Sequence, residues 1–393
     1  MFDQHTAAFS KNASRPSPPP SPRHTGKREV ALRLLALLCV ATDASAFEPS
    51  SKDKKIISYG ADWPNTAYVR QNVHEMEKHP FDGIVIGVSE EREPKLKSST
   101  LGNRMWGKER FTPEQLEHAI EDLKATKFEK FTDNFIQLEA MPGDVDLFDP
   151  AFDTILHNAR MLARVAKQGG CVGLELDPEE YSDAHVWTYS AWPEARRKAH
   201  NEEEYTTQAR LRGEQFMGAI NNEFGNAKVL ILFGASMTAA QMKEGRKDYG
   251  LLAPFIEGMC REANPESEII DGFELSYGFK RLDQFERGRA KVLATKELFK
   301  DKAAFDKTMR VGFGLWTDNN SGKLGWFPND PAKNYFQPDD YQTAVFGALS
   351  YSDRYVWIWR EKIDEWENKN IGQAYEQAMR DGRTAPGKSK AAP

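Results

Sequence analysis

Carboxyl side chains recur in this sequence at the far ends of short apolar runs, where a fold that bundles the runs would gather them in one place. In Val172-Gly173-Leu174-Glu175-Leu176-Asp177, extended backbone puts Gly173, Glu175 and Asp177 on one face and the three aliphatic residues on the other. The same alternation groups Ile270, Gly272, Glu274 and Ser276. It sets Glu139 beyond Phe135 and Gln137, and Asp62 beyond Ser58 and Gly60. Two further runs end alike: Gly312, Gly314 and Trp316 lead to Asp318, while Tyr355, Trp357 and Trp359 lead to Glu361. Glu175 and Glu274 stand inside apolar runs above a glycine, and an acid there is costly to bury without a task.

Carboxyls gathered in one cleft divide labour. Burial or mutual repulsion keeps one protonated, so that it can donate to a leaving oxygen, while another stays charged. The charged one attacks an anomeric carbon or activates water, which is the chemistry of glycosidic cleavage. Asp177 or Glu175, opposite Glu274, are the expected catalytic groups, with acid and base unassigned. Tryptophans reinforce this reading, because Trp63, Trp106, Trp187, Trp192, Trp316, Trp326, Trp357 and Trp359 all fall at the ends of apolar runs or in the segments after them. Flat aromatic faces stack on sugar rings. Tyr181 and Tyr277 bring hydroxyls to the same neighbourhood. The expected substrate-binding set is Asp62, Trp63, Glu139, Tyr181, Trp187, Tyr277, Trp316, Asp318, Trp359 and Glu361.

These residues need elements to position them. Eight apolar runs, at 55–60, 83–88, 134–139, 171–176, 228–233, 269–275, 310–316 and 355–360, alternate with segments of helical spacing. The helical segments are 66–78, 112–126, 149–168, 205–225, 249–263, 279–299 and 341–349, and Thr112-Pro113-Glu114-Gln115 is a helix start signal. Such alternation predicts a parallel sheet covered by helices, and eight strands predict a closed (β/α)8 barrel, a TIM barrel, over 52–370 as a single domain. Its active site belongs at the C-terminal ends of the strands. An open doubly wound sheet would want a Gly-rich phosphate loop after the first strand, where Tyr59-Gly60-Ala61-Asp62-Trp63 stands instead.

The 393 residues, with a net charge of -6, show no basic stripe for nucleic acid. Lys27 and Arg28 precede an apolar run, 31–42, that ends in Asp43-Ala44-Ser45-Ala46, so 27–46 reads as a signal peptide cut after Ala46 and the protein as secreted or periplasmic. That run is too short to span a bilayer. The Pro- and Ser-rich stretch 1–26 and the tail 380–393 read as disordered. The histidines fall on helices and loops, no strand carries an inward Lys, and neither a metal nor another cofactor is expected. Cys171 and Cys260 read as two buried thiols.

With Leu174-Glu175-Leu176-Asp177-Pro178-Glu179 on strand four and Gly272-Phe273-Glu274-Leu275-Ser276-Tyr277 on strand six, the chain resembles the broad superfamily of (β/α)8-barrel glycoside hydrolases over roughly 54–367. The resemblance implies hydrolysis of a poly- or oligosaccharide at the barrel mouth. It carries roles by position only: no Asn precedes Glu175, strand seven offers Asp318 rather than Glu, and the repeated Asp before Glu of chitinases is not met. Two other readings use the same ring of acids: a non-catalytic carbohydrate-binding barrel, and a barrel enzyme holding a divalent metal on oxygen ligands.

Overall fold

In the computed structural model, nine parallel segments pair in the order β7-β6-β5-β4-β3-β2-β1-β9-β8. They are β1 (Lys55–Ser58), β2 (Gly83–Ile86), β3 (Phe135–Glu139), β4 (Gly173–Asp177), β5 (Lys228–Ile231), β6 (Glu268–Asp271), β7 (Met309–Val311), β8 (Phe313–Trp316) and β9 (Tyr355–Trp359). Only Gly312 separates β7 from β8, so the two are halves of one strand. The first half pairs with β6 and the second with β9, which itself pairs with β1. The ring therefore closes, and the predicted eight-stranded TIM barrel is the observed fold. The structure describes residues 47–319 and 325–388. The chain divides between Phe47 and Glu48, and the barrel belongs wholly to the second unit.

Eleven helices are present among the described residues: α1 (Thr66–Met76), α2 (Pro113–Ala125), α3 (Phe152–Gln168), α4 (Glu194–Ala199), α5 (Glu202–Asn221), α6 (Ala235–Lys243), α7 (Leu252–Glu262), α8 (Leu282–Ala294), α9 (Lys302–Thr308), α10 (Pro338–Tyr351) and α11 (Gln373–Asp381). The start signal of α2 acts as its residues dictate: Thr112 and Gln115 form a capping box with Pro113 at the first helical position. The sequence reading passed over α4, α6, α9 and α11. None of these exceeds nine residues, which is too short to show a clear helical period.

Apolar side chains form two separate cores. The larger lies between strands and helices and includes Ile56, Ile84, Ile136, Leu174, Leu176, Val229 and Ile269. The smaller fills the barrel lumen with Ile57, Tyr59, Val85, Phe135, Leu230, Leu232, Ile270, Tyr355 and Trp357. Successive strand residues point to opposite faces, so membership of the lumen core fixes which residues rise toward the mouth. Among the described residues no helix is long and apolar enough to cross a membrane. Cys171 and Cys260 are buried free thiols. The stretches 1–26 and 27–46 lie outside the described residues. The described part of the C-terminal stretch ends at Lys388, and there Gly387 N–H donates to Thr343 Oγ1 at 3.1 Å.

Candidate active site

Strand β4 carries Glu175 and Asp177 on the lumen face, as its alternation predicts, and Pro178 leads to Glu179, which continues the same two-residue step. On β3, paired in register, Gln137 lies beside Glu175 and Glu139 beside Asp177. Asp177 accepts hydrogen bonds from the Glu179 N–H and the Tyr181 hydroxyl, both at 2.9 Å. Gln137 donates to Glu139 Oε1 at 2.7 Å. Glu175, beneath them, is fully buried, and neither of its carboxyl oxygens has a hydrogen-bond partner.

Across the mouth Glu274 arrives by a route that alternation does not describe. Strand β6 ends at Asp271, the backbone turns through a left-handed Phe273 (φ 42°), and a short 3-10 helix, Glu274–Ser276, begins. Asp271 pins this turn by accepting from Ser236 Oγ at 2.8 Å and from Phe273 N–H at 3.1 Å. The sequence reading kept Glu274 on an extended strand. The residue reaches the mouth, but from a turn.

The electrostatics of this group have one sign. Burial first, then the charges of Asp177 and Glu139, push the Glu175 carboxyl well above the usual carboxylate range. Burial and then Glu179 and Glu139 do the same to Asp177, although two hydrogen bonds pull the other way. Burial lifts Glu179 as well, and burial with Glu179 and Asp177 lifts Glu274 well up. Glu139 is raised by burial against a hydrogen bond from Asn103. Of the five carboxyls, Glu175, Asp177 and Glu139 are buried while Glu179 and Glu274 are part-exposed, so the last two are the ones a ligand reaches.

An aromatic arc completes the bowl. Tyr59 on the β1 side packs against Trp359 at 5.1 Å and Trp357 at 6.1 Å between ring centroids. Tyr277 bridges Trp357 at 5.3 Å and Trp316 at 5.6 Å. Trp357 is fully buried and forms the floor, its indole N–H donating to Gly272 O at 2.8 Å. Trp316, Trp359 and Tyr277 keep part of their surface open, and Tyr181 at the rim is 55% exposed.

Several expected residues lie elsewhere. Asp62 does not join the mouth acids, because β1 runs in the opposite phase from that expected: Ile57 and Tyr59 face the lumen, while Ser58 and Asp62 meet the buried guanidinium of Arg360 at 2.9 and 3.0 Å. Asp318 is buried and spent on local bonds from the Trp316 indole and the N–H groups of Glu361, Lys362 and Ile363. Glu361 is exposed on that turn. Trp187 is no sugar platform: it is fully buried in the outer core, against Trp106 at 5.4 Å and Phe255 at 5.0 Å. Trp106 and Trp192 are buried likewise, and Trp63 is half-buried with its indole N–H on Ser98 O at 3.0 Å.

Sequence reasoning missed Tyr59 and Glu179 as site residues. The signal for Glu179 was present, since it extends the spacing of Glu175 and Asp177 by one more step. For Tyr59 the signal was ambiguous, because both faces of its run carry apolar or small residues.

Among the described residues, the group of three metal-capable side chains with ligand atoms within 4.8 Å of one another is His79, Glu365 and Glu376. It lies outside the acidic mouth. Burial opposes charge on His79, but Glu376 at 2.5 Å and Glu365 at 3.3 Å hold its pKa up to about 9. The triad is thus satisfied as a protonated imidazole between two carboxylates, continuous through Glu365 with the Arg360–Asp62 pair. The mouth acids form no such group of three among the described residues.

No protein-family model matches the chain, and no curated protein does. Among solved structures, a family GH18 chitinase from Chromobacterium violaceum is similar at 13% identity and a TM-score of 0.44, covering 85% of this chain and 84% of the chitinase. A family 5 xyloglucanase from Paenibacillus pabuli is similar at 10% identity and 0.47, covering 85% of this chain and 99% of that one. Endonuclease IV from Thermus thermophilus is also similar, at 10% identity and 0.40, covering 82% and 99%. The barrel assignment rests on the strand pairing described above, and the function on the site itself.

Proposed function

We propose that the barrel mouth hydrolyses glycosidic bonds, with Glu179 and Glu274 as the carboxyl pair across the cleft, one donating the proton and the other attacking or activating water. The observation that carries this reading is the pair of reachable carboxyls, raised in proton affinity, set over three buried ones in a bowl walled by Tyr59, Tyr277, Trp316 and Trp359. Asp177 lies beside Glu179, and the charge of Glu179 adds to burial in keeping the proton on Asp177. Tyr181 and the Glu179 N–H hold Asp177 in place. Glu175, which the sequence alone made a candidate for the chemistry, is too deep to touch a substrate and supports the others from below. The aromatic arc offers flat apolar faces with polar edges, as sugar rings require. An exported enzyme, which the 27–46 segment suggests, would meet such polymers outside the cytoplasm.

The test is a panel of neutral and charged polysaccharides assayed with the parent, Glu179→Gln and Glu274→Gln. Each amide variant should lose about 10²- to 10⁴-fold in kcat/KM. On an aryl glycoside with an activated leaving group, which needs no proton, one of the two variants should recover most of its rate, which identifies the proton donor, while the other should not. Binding without cleavage by the parent would overturn the proposal in favour of a carbohydrate-binding barrel, as would full activity in both variants.

A further inference from the structure

Away from the acidic mouth, a cavity of about 560 Å³ opens in the helix layer, between α5, α7 and the segment that leads into α9. Its charged lining is Arg210, Arg261, Lys300 and Lys302 against Glu257 and Asp301. Because α9 runs directly into β7, the cavity lies toward the N-terminal end of that strand, whereas the mouth gathers the C-terminal ends. Three arginines are buried among the described residues: Arg210, Arg212 and Arg360. In Arg212 the Nε donates to Leu147 O, Nη1 to Gln215 Oε1 and Nη2 to Asp149 O. Each nitrogen of Arg360 likewise meets an oxygen, on Glu365, Ser58 or Asp62. Arg210 differs. Its Nε donates to Glu257 Oε2 at 2.8 Å, but neither Nη donates to any described group.

The acids of this cavity are already taken. Glu257 receives the Asp301 N–H on its other oxygen at 2.9 Å, and Asp301 Oδ1 accepts from Ala304 N–H at 2.9 Å. Arg261 and Lys302 turn to Glu214 at 2.7 Å and Glu297 at 2.5 Å. What stays open is donor: the outer fork of Arg210 and the ammonium of Lys300, which has no partner among the described residues. A buried guanidinium with an unmet fork calls for a charged acceptor with paired oxygens. A carboxylate would be used up by the fork, while a tetrahedral oxyanion keeps a further oxygen for Lys300. The volume falls in the range of small-molecule pockets, about 300–1,000 Å³, and exceeds what a bare ion fills. We propose that this cavity binds a phosphate or sulfate monoester of a small molecule, held by the Arg210 fork on two oxygens and by Lys300 on a third. The site is independent of the glycosidic reading.

The experiment is calorimetry on the full chain with glucose 6-phosphate, glucose 6-sulfate, inorganic phosphate and glucose, at low salt and near-neutral pH. One of the two esters should bind at one site per chain with a Kd below about 1 mM, several-fold tighter than inorganic phosphate, and excess glucose should not displace it. Whichever ester binds tighter identifies the group the site is built for. Lys300→Gln, at an exposed position, should weaken the ester several-fold. Arg210→Lys keeps a cation beside Glu257 but removes the fork, and should weaken it by at least about tenfold. Circular dichroism and cooperative unfolding check that each variant keeps its fold, and the Lys300 variant carries the test if the Arg210 variant does not fold. No saturable ester binding up to about 10 mM, displacement by glucose, or unchanged affinity in Lys300→Gln would overturn the site. Inorganic phosphate binding as tightly as either ester would overturn the monoester as its ligand.

Discussion

Glu175 and Asp318 arise from the same kind of sequence, an acid at or beyond the end of a glycine-bearing apolar run, and both are buried at the same end of one barrel. Their surroundings are opposite. Asp318 is saturated by the Trp316 indole and by three successive backbone N–H groups. Glu175 accepts nothing, and its charged neighbours are Asp177 and Glu139. Asp62 falls with Asp318, because Arg360 neutralises it. An acid at a strand end is therefore not in itself a sign of chemistry. What separates the two regions is whether the fold has already met the acid's need for donors or has left that need open.

Substitutions can break this contrast. Asp62→Asn should have the largest effect, because it strands the buried Arg360 guanidinium between Ser58 and Glu365; a loss of about 3–5 kcal/mol in unfolding free energy, measured by denaturant titration, is expected. Asp318→Ala should cost about 2–3 kcal/mol by orphaning the turn's N–H groups, and the KM of the folded fraction should stay unchanged. A large KM effect in either variant would move that acid into the site and dissolve the distinction.

Glu175→Gln should act in the opposite direction. The carboxyl's folded pKa is raised, so its contribution to stability is full below the unfolded value, about 4.3, and is lost as pH rises through the folded value. The amide does not titrate. The variant should match the parent in acid and exceed it by roughly 1 kcal/mol, about 2 °C in Tm, above neutral pH, while kcat falls. A variant less stable than the parent at alkaline pH would show that Glu175 is satisfied after all.

The barrel was legible because its strands are apolar on both faces and its helices are not, so eight runs and seven helices stand out at nearly their observed places. Strand β4 was legible to the side chain, since Leu174 and Leu176 leave no doubt about the face that Glu175 and Asp177 share. Strand β1 was not. Ile56, Ile57, Ser58, Tyr59 and Gly60 suit either phase, and only packing against Arg360 on one side and Trp359 on the other decides it. Glu274 was placed correctly by a faulty route, because a left-handed Phe273 breaks the count that alternation relies on. The tryptophans misled for a related reason. A long loop needs its own anchor, and Trp187, with its indole N–H on Pro178 O at 2.9 Å, pins the segment that follows Glu179.

The floor of the bowl sets its depth. A β-carbon on Gly314 would lie 2.6 Å from the Trp357 ring, and one on Gly272 would lie 2.7 Å from its indole nitrogen, so a glycine on β8 and one in the turn after β6 leave the slot that the indole fills. On the glycosidic reading proposed above, that slot would act as a gauge block: it would fix how far a bound ring can sink before it meets carbon, and hence at what height its linkage passes the two reachable carboxyls. Re-tuning this barrel for a bulkier or slimmer sugar is then a matter of shimming one indole, with the acids left where they are.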